Sequence, residues 1–229
     1  MTLKEEFIIL GYTKDDYDAI RNSYPISSIK DETLIEKVRD NYSFLLKLGY
    51  KREEIIKITK SLPEIYGYST RTIEQKMKDM ISLGYTKEEV IRMTKNSPSI
   101  YSYSIETIKK KIDDIISLGY TRKEVIKMTK GLSQIYGYSI EGIKQKIDDM
   151  ISLGYTKEEV IKMTKNFPSI YGYSVESLRK KIDDMIALGY TKEEVIKMTK
   201  SFTPIYGLSI ESMKQKIDDM ISLGYTRKK

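Results

Sequence analysis

The chain has 229 residues and a net charge of +7, from 40 Lys and Arg against 33 Asp and Glu, and it contains no Cys, His or Trp. The missing residue types exclude disulfides, thiol nucleophiles, imidazole bases and the usual zinc ligands. With 40% hydrophobic and 32% charged residues, the composition suits a thin, surface-rich helical protein.

A 35-residue period runs through most of the chain. A Gly-Tyr pair marks it, and its glycines recur as Gly49, Gly84, Gly119, Gly154, Gly189 and Gly224. A fixed period of this length is typical of solenoids, in which each unit buries its apolar face against its neighbours. We therefore expect an all-α, helical-repeat solenoid rather than a single globule.

Residues 1–48 have the pattern of a divergent first unit. Gly11 and Pro25 are spaced as Gly84 and Pro98 are, but the next glycine follows after 38 residues, so about three residues are inserted near positions 27–32. Because residues 1–48 carry 7 basic and 9 acidic side chains, we interpret them as an acidic capping repeat. The predicted repeats then span 49–83, 84–118, 119–153, 154–188 and 189–223, and 224–229 is a C-terminal tail.

Each repeat begins with a first helix that has clear start and stop signals. Thr86 and Glu89 have the spacing of a capping box, in which each side chain bonds the other residue's backbone amide. The helix is expected to run to about Lys95. Pro98 then ends the helix or opens a short helical turn, because it has no backbone donor and its φ angle is restricted.

A second, longer helix follows within each repeat. Ser104 is a candidate N-cap, and Ile105, Ile108 and Ile112 begin an apolar stripe at helical spacing. Gly119 is placed to take the left-handed conformation that ends many helices. The pattern predicts two longer helices and one short helical turn per 35 residues.

The order of these elements resembles the repeat of the mitochondrial transcription termination factor (mTERF) family. The resemblance rests on Leu-Gly-Tyr-Thr-x-x-Glu-Val-Ile-x-Met, then Phe167-Pro168-Ser169-Ile170, then Tyr173-Ser174-Val175-Glu176-Ser177-Leu178. It implies a left-handed superhelical solenoid that binds nucleic acid along a basic groove, in transcription or organellar RNA metabolism. The copies are more alike than the family's usual repeats, and no base-contacting motif of the family has a match here.

A lysine recurs at one position of every second helix. These residues are Lys76, Lys111, Lys146, Lys181 and Lys216. Lysines early in a helix oppose the helix dipole, so stability alone does not favour them there. They could form a ladder along a phosphate backbone. Alternatively, they lie over neighbouring apolar surface or pair with aspartates of the same or the next repeat.

One first helix departs from the local charge pattern of the others. Elsewhere a glutamate stands four residues before a cation, as Glu88 does before Arg92, and should neutralise it. Lys123 replaces that glutamate, which leaves Lys123, Lys127 and Lys130 unpaired by this rule. This repeat is the best local candidate for phosphate contact, although drift on a solvated face would give the same pattern.

Tyrosines and aspartates also recur. Tyr101 and Tyr103 have counterparts in the other repeats and could stack on single-stranded bases, but packing between repeats is the stronger interpretation. Paired aspartates such as Asp113 and Asp114 diverge by about 100° on a helix, so one pair is a poor metal or catalytic site. We therefore predict no catalytic residues, no metal and no cofactor.

Two functions remain open. The first is a non-catalytic nucleic-acid-binding protein with salt-sensitive, weakly specific contacts, because Lys greatly outnumbers Arg. It requires the lysine ladder on one continuous, preferably concave face with the acids elsewhere. The alternative is a protein-interaction scaffold, which would show interleaved charges and variable residues clustered on one face. We expect DNA or RNA as the partner, no membrane and no small-molecule substrate. The chain's start has no signal-peptide pattern, which favours a cytoplasmic protein.

Overall fold

The computed structural model describes residues 1–225, and within that range all the regular structure is helical. Thirteen α-helices and six short 3-10 segments follow one another in these residues. The predicted all-α helical-repeat fold is confirmed. Of the predicted tail, residues 226–229 lie outside the described part. Among the described residues, no helix has both the length and the apolar character that a bilayer crossing needs.

The first compact unit contains residues 1–114 and 132–137. Its helices are α1 (Leu3–Ile9), α2 (Lys14–Arg21), α3 (Asp31–Leu48), α4 (Arg52–Ser61), α5 (Thr70–Ser82), α6 (Lys87–Asn96) and most of α7 (Ile105–Ser117). Helices α2, α4 and α6 pack side by side as one layer. Helices α1, α3 and α5 form a second layer against it.

The second compact unit contains residues 115–131 and the chain from Tyr138 onward. Its helices are α8 (Arg122–Gly131), α9 (Ile140–Ser152), α10 (Lys157–Asn166), α11 (Val175–Ala187), α12 (Lys192–Ser201) and α13 (Ile210–Ser222). Helix α8 packs on α10, while α9 and α13 both pack on α11. We call α4, α6, α8, α10 and α12 the first helices, and α5, α7, α9, α11 and α13 the second helices.

A 3-10 segment joins the first helix of each repeat to the second. The six segments are Ile26–Ser28, Pro63–Gly67, Pro98–Tyr101, Ser133–Gly137, Pro168–Gly172 and Thr203–Gly207. Proline opens three of them, as its fixed φ angle favours. Ser133 and Thr203 occupy the same place in two others and are buried, and the Ser133 hydroxyl donates to the Met93 carbonyl over 3.3 Å.

The predicted helix ends are present. The Thr86 hydroxyl accepts from the Glu89 amide at 3.2 Å, and a Glu89 carboxylate oxygen accepts from the Thr86 amide at 2.9 Å. The same reciprocal box begins the first helices at Thr121, Thr156 and Thr191. Gly119 has φ +111°, so it takes the left-handed conformation expected of it.

The inserted residues of the capping repeat lengthen one helix. Helix α3 has 18 residues, whereas α5 and the later second helices have 13. The predicted insertion near 27–32 coincides with the Ile26–Ser28 segment and the first turn of α3. The extension starts at Asp31 and therefore adds residues at the N-terminal end of the helix.

Buried hydroxyl groups join successive repeats. The Tyr12 hydroxyl lies 2.7 Å from the Thr59 hydroxyl and 2.5 Å from the Tyr66 hydroxyl. The same pattern joins Tyr50 with Thr94 and Tyr101, Tyr120 with Thr164 and Tyr171, and Tyr155 with Thr199 and Tyr206. Because these tyrosines are buried, they pack between repeats and are closed to bases.

Candidate nucleic-acid interface

The recurrent lysines of the second helices bond the backbone of the following repeat. The Lys76 ammonium donates to the Tyr103 carbonyl at 3.1 Å. Lys146 donates in the same way to the Tyr173 carbonyl, and Lys181 to the Leu208 carbonyl. In each case the acceptor lies 27 residues after the lysine and directly before the serine that caps the next second helix.

The capping repeat, residues 1–48, shows that this helix position provides a hydrogen-bond donor. Asn41 stands there instead of a lysine, and its amide donates to the Tyr68 carbonyl at 2.9 Å, again 27 residues on. It also donates to the Ile65 carbonyl at 3.0 Å. A neutral amide can replace the lysine, so the constant feature is a donor between repeats and not a positive charge.

The ladder lysines are unequally exposed. Lys76 is half-buried, and burial lowers the pKa of its ammonium. Its nitrogen also lies 5.6 Å from the centre of the Tyr68 ring. Lys111 is half-buried and engaged within the fold, whereas Lys216 on α13 is exposed. Phosphate binding by the whole ladder remains a prediction, and three of its members already have a backbone partner.

The three lysines singled out on α8 also differ from one another. Lys123 and Lys127 are exposed, and the Lys127 ammonium donates to the Asn166 side-chain oxygen at 3.2 Å. That partner is neutral, so the charge of Lys127 is not compensated. Lys130 is half-buried and engaged in an interaction, so the lack of a glutamate four residues earlier does not leave it without a partner.

The local neutralisation expected on the other first helices is also absent. Among the described residues, no ion pair joins Glu88 to Arg92, Glu158 to Lys162 or Glu193 to Lys197, although each pair is four residues apart. Exposed long side chains lose conformational entropy when they pair, which offsets most of the attraction in water. Arg92, Lys162 and Lys197 are therefore not neutralised by the glutamate one turn earlier on their own helix.

A different glutamate of each first helix pairs across repeats. Glu124 of α8 bonds Lys165 of α10 at 2.6 Å, and Glu159 of α10 bonds Lys200 of α12 at 2.6 Å. The hydrogen bond from Lys165 is the main cause that lowers the pKa of Glu124 to about 2. These pairs remove equal numbers of positive and negative charges from the outer surface, so they leave the exposed excess of cations unchanged.

The exposed charge of the second unit is basic on its first helices. Helices α8, α10 and α12 expose seven cations and three acids. The cations are Arg122, Lys123, Lys127, Lys157, Lys162, Lys192 and Lys197; the acids are Glu158, Glu193 and Glu194. We call this surface the first-helix face. In the first unit, α4 and α6 expose five cations and two acids, which is the same bias.

The second helices of the same unit carry the opposite bias. Helices α9, α11 and α13 expose five cations and seven acids. The alternating Gln and Lys position is bonded within its own helix, because Gln145 donates to Asp149 at 2.9 Å and Lys180 pairs with Asp184 at 2.8 Å. Sequence reasoning missed this difference between first and second helices because it followed the recurrent lysines. Counting the cations and acids on the polar side of each first helix would have indicated it.

The recurrent aspartates form no evident metal site. Among residues 1–225, no three His, Cys, Asp or Glu side chains lie close enough together to hold a metal ion. In three of the four pairs the second aspartate instead accepts from the residue one turn earlier, as Asp219 does from Gln215 at 2.8 Å. The arrangement can therefore offer binding surfaces, and it brings together no recognisable set of catalytic groups in the described residues.

The fold and its charged faces define a class, that of α-helical repeat proteins with a basic helix layer. The mTERF family model matches residues 17–152 and 143–223. The chain therefore belongs to the mTERF family, as the resemblance of its repeats predicted. A search of curated proteins found no significant match.

Proposed function

We propose that this protein is a non-catalytic nucleic-acid-binding protein and that the first-helix face contacts the phosphate backbone. The observation that carries the proposal is the excess of seven exposed cations over three acids on α8, α10 and α12. A polyanion releases condensed counterions when such cations neutralise its phosphates, which favours binding without base contacts. Membership of the mTERF family supports nucleic acid as the polyanion.

Within this proposal the recurrent lysines take a second role. Lys146 and Lys181 each bond a backbone carbonyl that lies just before the next second helix, and so help to order the start of that helix. Exposed Lys123 and Lys127 belong to the binding face itself. DNA and RNA are both suitable partners, and binding is expected to weaken with salt. The cytoplasmic location stays a prediction from the sequence.

A protein-interaction scaffold is the alternative. One observation favours it. The residues that vary most between repeats lie at the ends of the first helices, and a scaffold was expected to cluster its variable residues in this way. The charge distribution of the second unit opposes it, since a scaffold was expected to interleave both signs and the first and second helices of this unit instead differ in sign. We give the charge more weight because a long one-sided excess of cations has a direct physical consequence for a polyanion.

The test measures fluorescence anisotropy of labelled single- and double-stranded DNA and RNA over a salt series. The variant Lys127→Gln, Lys162→Gln, Lys197→Gln removes three charges from the first-helix face. We expect the slope of log affinity against log salt to fall by about 2 to 3. The matched control, Lys144→Gln, Lys180→Gln, Lys214→Gln, removes the same charge from the second helices and should leave the slope nearly unchanged.

A third variant, Lys146→Met with Lys181→Met, separates the two roles of lysine. The proposal expects lower stability with an unchanged salt slope at equal folded concentration. Equal slope losses in the first-helix and second-helix variants would contradict the assignment of the face. Absence of binding to all four nucleic acids at low salt would contradict the function and leave the scaffold as the better account.

A further inference from the structure

The repeats differ most in one short segment. Aligned position by position, the repeats at 119–153, 154–188 and 189–223 take three different residues at only four positions. One of the four is the core position of Ile143, Leu178 and Met213. The other three fall where the first helix ends and the 3-10 segment begins, so sequence variation outside the core is concentrated there.

One of these variable positions is exposed in every repeat. It is the last residue of the first helix, and its members are Ser61, Asn96, Gly131, Asn166 and Ser201. We call this set the variable column. Each member lies one helical turn after an exposed cation on the same helix, such as Lys162 before Asn166. In the second unit, the variable column therefore lies on the first-helix face.

Contacts between repeats place the variable column beside further cations. In the second unit, the Lys127 ammonium bonds the Asn166 side-chain oxygen at 3.2 Å, from one first helix to the next. The same 39-residue spacing relates Lys162 to Ser201. In the first unit, the side chain of Gln134, another variable residue, donates to the backbone carbonyl of Asn96 at 3.4 Å. Asn166 is thus next to a cation of the preceding first helix, and Asn96 is next to a polar side chain of the following repeat.

We propose that, within each compact unit, the variable column reads bases of a single-stranded nucleic acid, one nucleotide for each repeat. The inference rests on the proposed function, because the neighbouring cations hold the backbone while the variable residue meets the base. Asn offers a donor and an acceptor in a fixed arrangement, and Gly offers no side chain. The Ser61 and Ser201 hydroxyls donate to the carbonyls of Lys57 and Lys197, so each offers only an acceptor. Successive repeats would therefore differ in preference, with Asn the most selective and Gly the most permissive.

The helix spacing favours a single strand with unstacked bases. Packed helices lie about 8–10 Å apart, whereas stacked bases advance about 3.4 Å per nucleotide. One residue per repeat would meet only every second or third base pair of a duplex. An unstacked strand can present one base to each repeat, as it does in other helical-repeat proteins.

The experiment selects preferred sequences from random single-stranded RNA and DNA pools at one salt concentration. Asn166→Ser makes this repeat like that of Ser201, and Gly131→Asn makes its repeat like that of Asn166. A Cβ at Gly131 would lie 3.6 Å from Pro168, which is ordinary contact, so the second substitution fits. The matched control is Asn22→Ser, at an exposed asparagine that directly follows α2 and lies outside the column.

We expect the parent protein to prefer one base by about fivefold or more at a single nucleotide. Asn166→Ser should lower that preference while the salt slope stays constant. Gly131→Asn should create a preference at the adjacent nucleotide, and Asn22→Ser should change neither. Unchanged preferences in both variants, or an equal affinity change for every sequence, would overturn the inference. Salt-dependent binding with unchanged preferences would leave the proposed function standing; absence of any binding would remove both.

Discussion

At the scale of single residues, the buried hydroxyl groups have a definite direction. The Thr59 hydroxyl donates to the Ile55 carbonyl at 2.9 Å, so it can only accept from Tyr12. Tyr12 has then used its proton and must accept from Tyr66. Burial raises the pKa of Tyr12 to about 12 and that of Tyr66 well above its ordinary value, so both stay protonated at neutral pH.

This direction makes the two tyrosines unequal. Tyr12→Phe leaves the buried Tyr66 hydroxyl without its acceptor and should cost roughly 1–3 kcal/mol of unfolding free energy. Tyr66→Phe removes a donor whose acceptor, Tyr12, still bonds Thr59, and should cost about 1 kcal/mol. Urea unfolding measures both, and Tyr24→Phe, at a residue 84% exposed, is the control. Equal losses would contradict the assigned direction.

At the scale of elements, the first helices are joined by carboxylate–lysine pairs that also complete their capping boxes. Lys165 is the main cause that lowers the pKa of Glu124, and Lys200 that of Glu159, and the backbone amide at each N-cap adds to the effect. A carboxylate whose pKa is lower in the folded state contributes stability above its unfolded value of 4.5. That contribution is lost as pH falls through the folded pKa, which is about 2 for Glu124.

We therefore expect the melting temperature to fall as pH decreases from about 5 to 2. The variant Glu124→Gln, Glu159→Gln should be less stable at pH 7, by about 1 kcal/mol, and its melting temperature should depend less on pH in the acid range. Thermal unfolding over a pH series measures this. Glu141→Gln, at an exposed glutamate of α9, should keep the slope of the parent protein; a parent curve that is flat between pH 5 and 2 would refute the assignment.

At the scale of the whole molecule, stability should vary between repeats of nearly identical sequence. Helices α9 and α13 differ only at Gly142/Ser212 and Ile143/Met213. Three apolar residues are buried in α9, whereas only Met213 is buried in α13. In a repeat protein each unit depends on its neighbours, so α13 should open at a lower free energy.

Native-state hydrogen exchange tests this difference with an internal control. Because the two helices are so alike, intrinsic exchange rates nearly cancel, and the amides of α13 should exchange about tenfold or more faster than those of α9. Helix α11, which buries Leu178, Ile182 and Met185, should resemble α9. Equal protection of all three helices would show that the exposed apolar residues of α13 are covered in solution.

Much of the fold could be predicted from the sequence because its determinants are local. The capping boxes at Thr86 and its equivalents, and the left-handed Gly119, depend on residues within one turn of each other. The 35-residue period then predicted stacked helices, since a unit of two helices cannot bury both apolar faces alone. The family followed from the order of these same elements.

The proposed binding face could be located only in the tertiary structure. Lys146 and Lys127 are both lysines on the polar side of a helix, and the sequence ranked the recurrent one higher. In the folded chain the ammonium of Lys146 donates a hydrogen bond to a carbonyl 27 residues away, whereas Lys127 stays exposed beside Asn166. Those partners lie in the next repeat, and the helix spacing and register that bring them together come from packing, which no local pattern specifies.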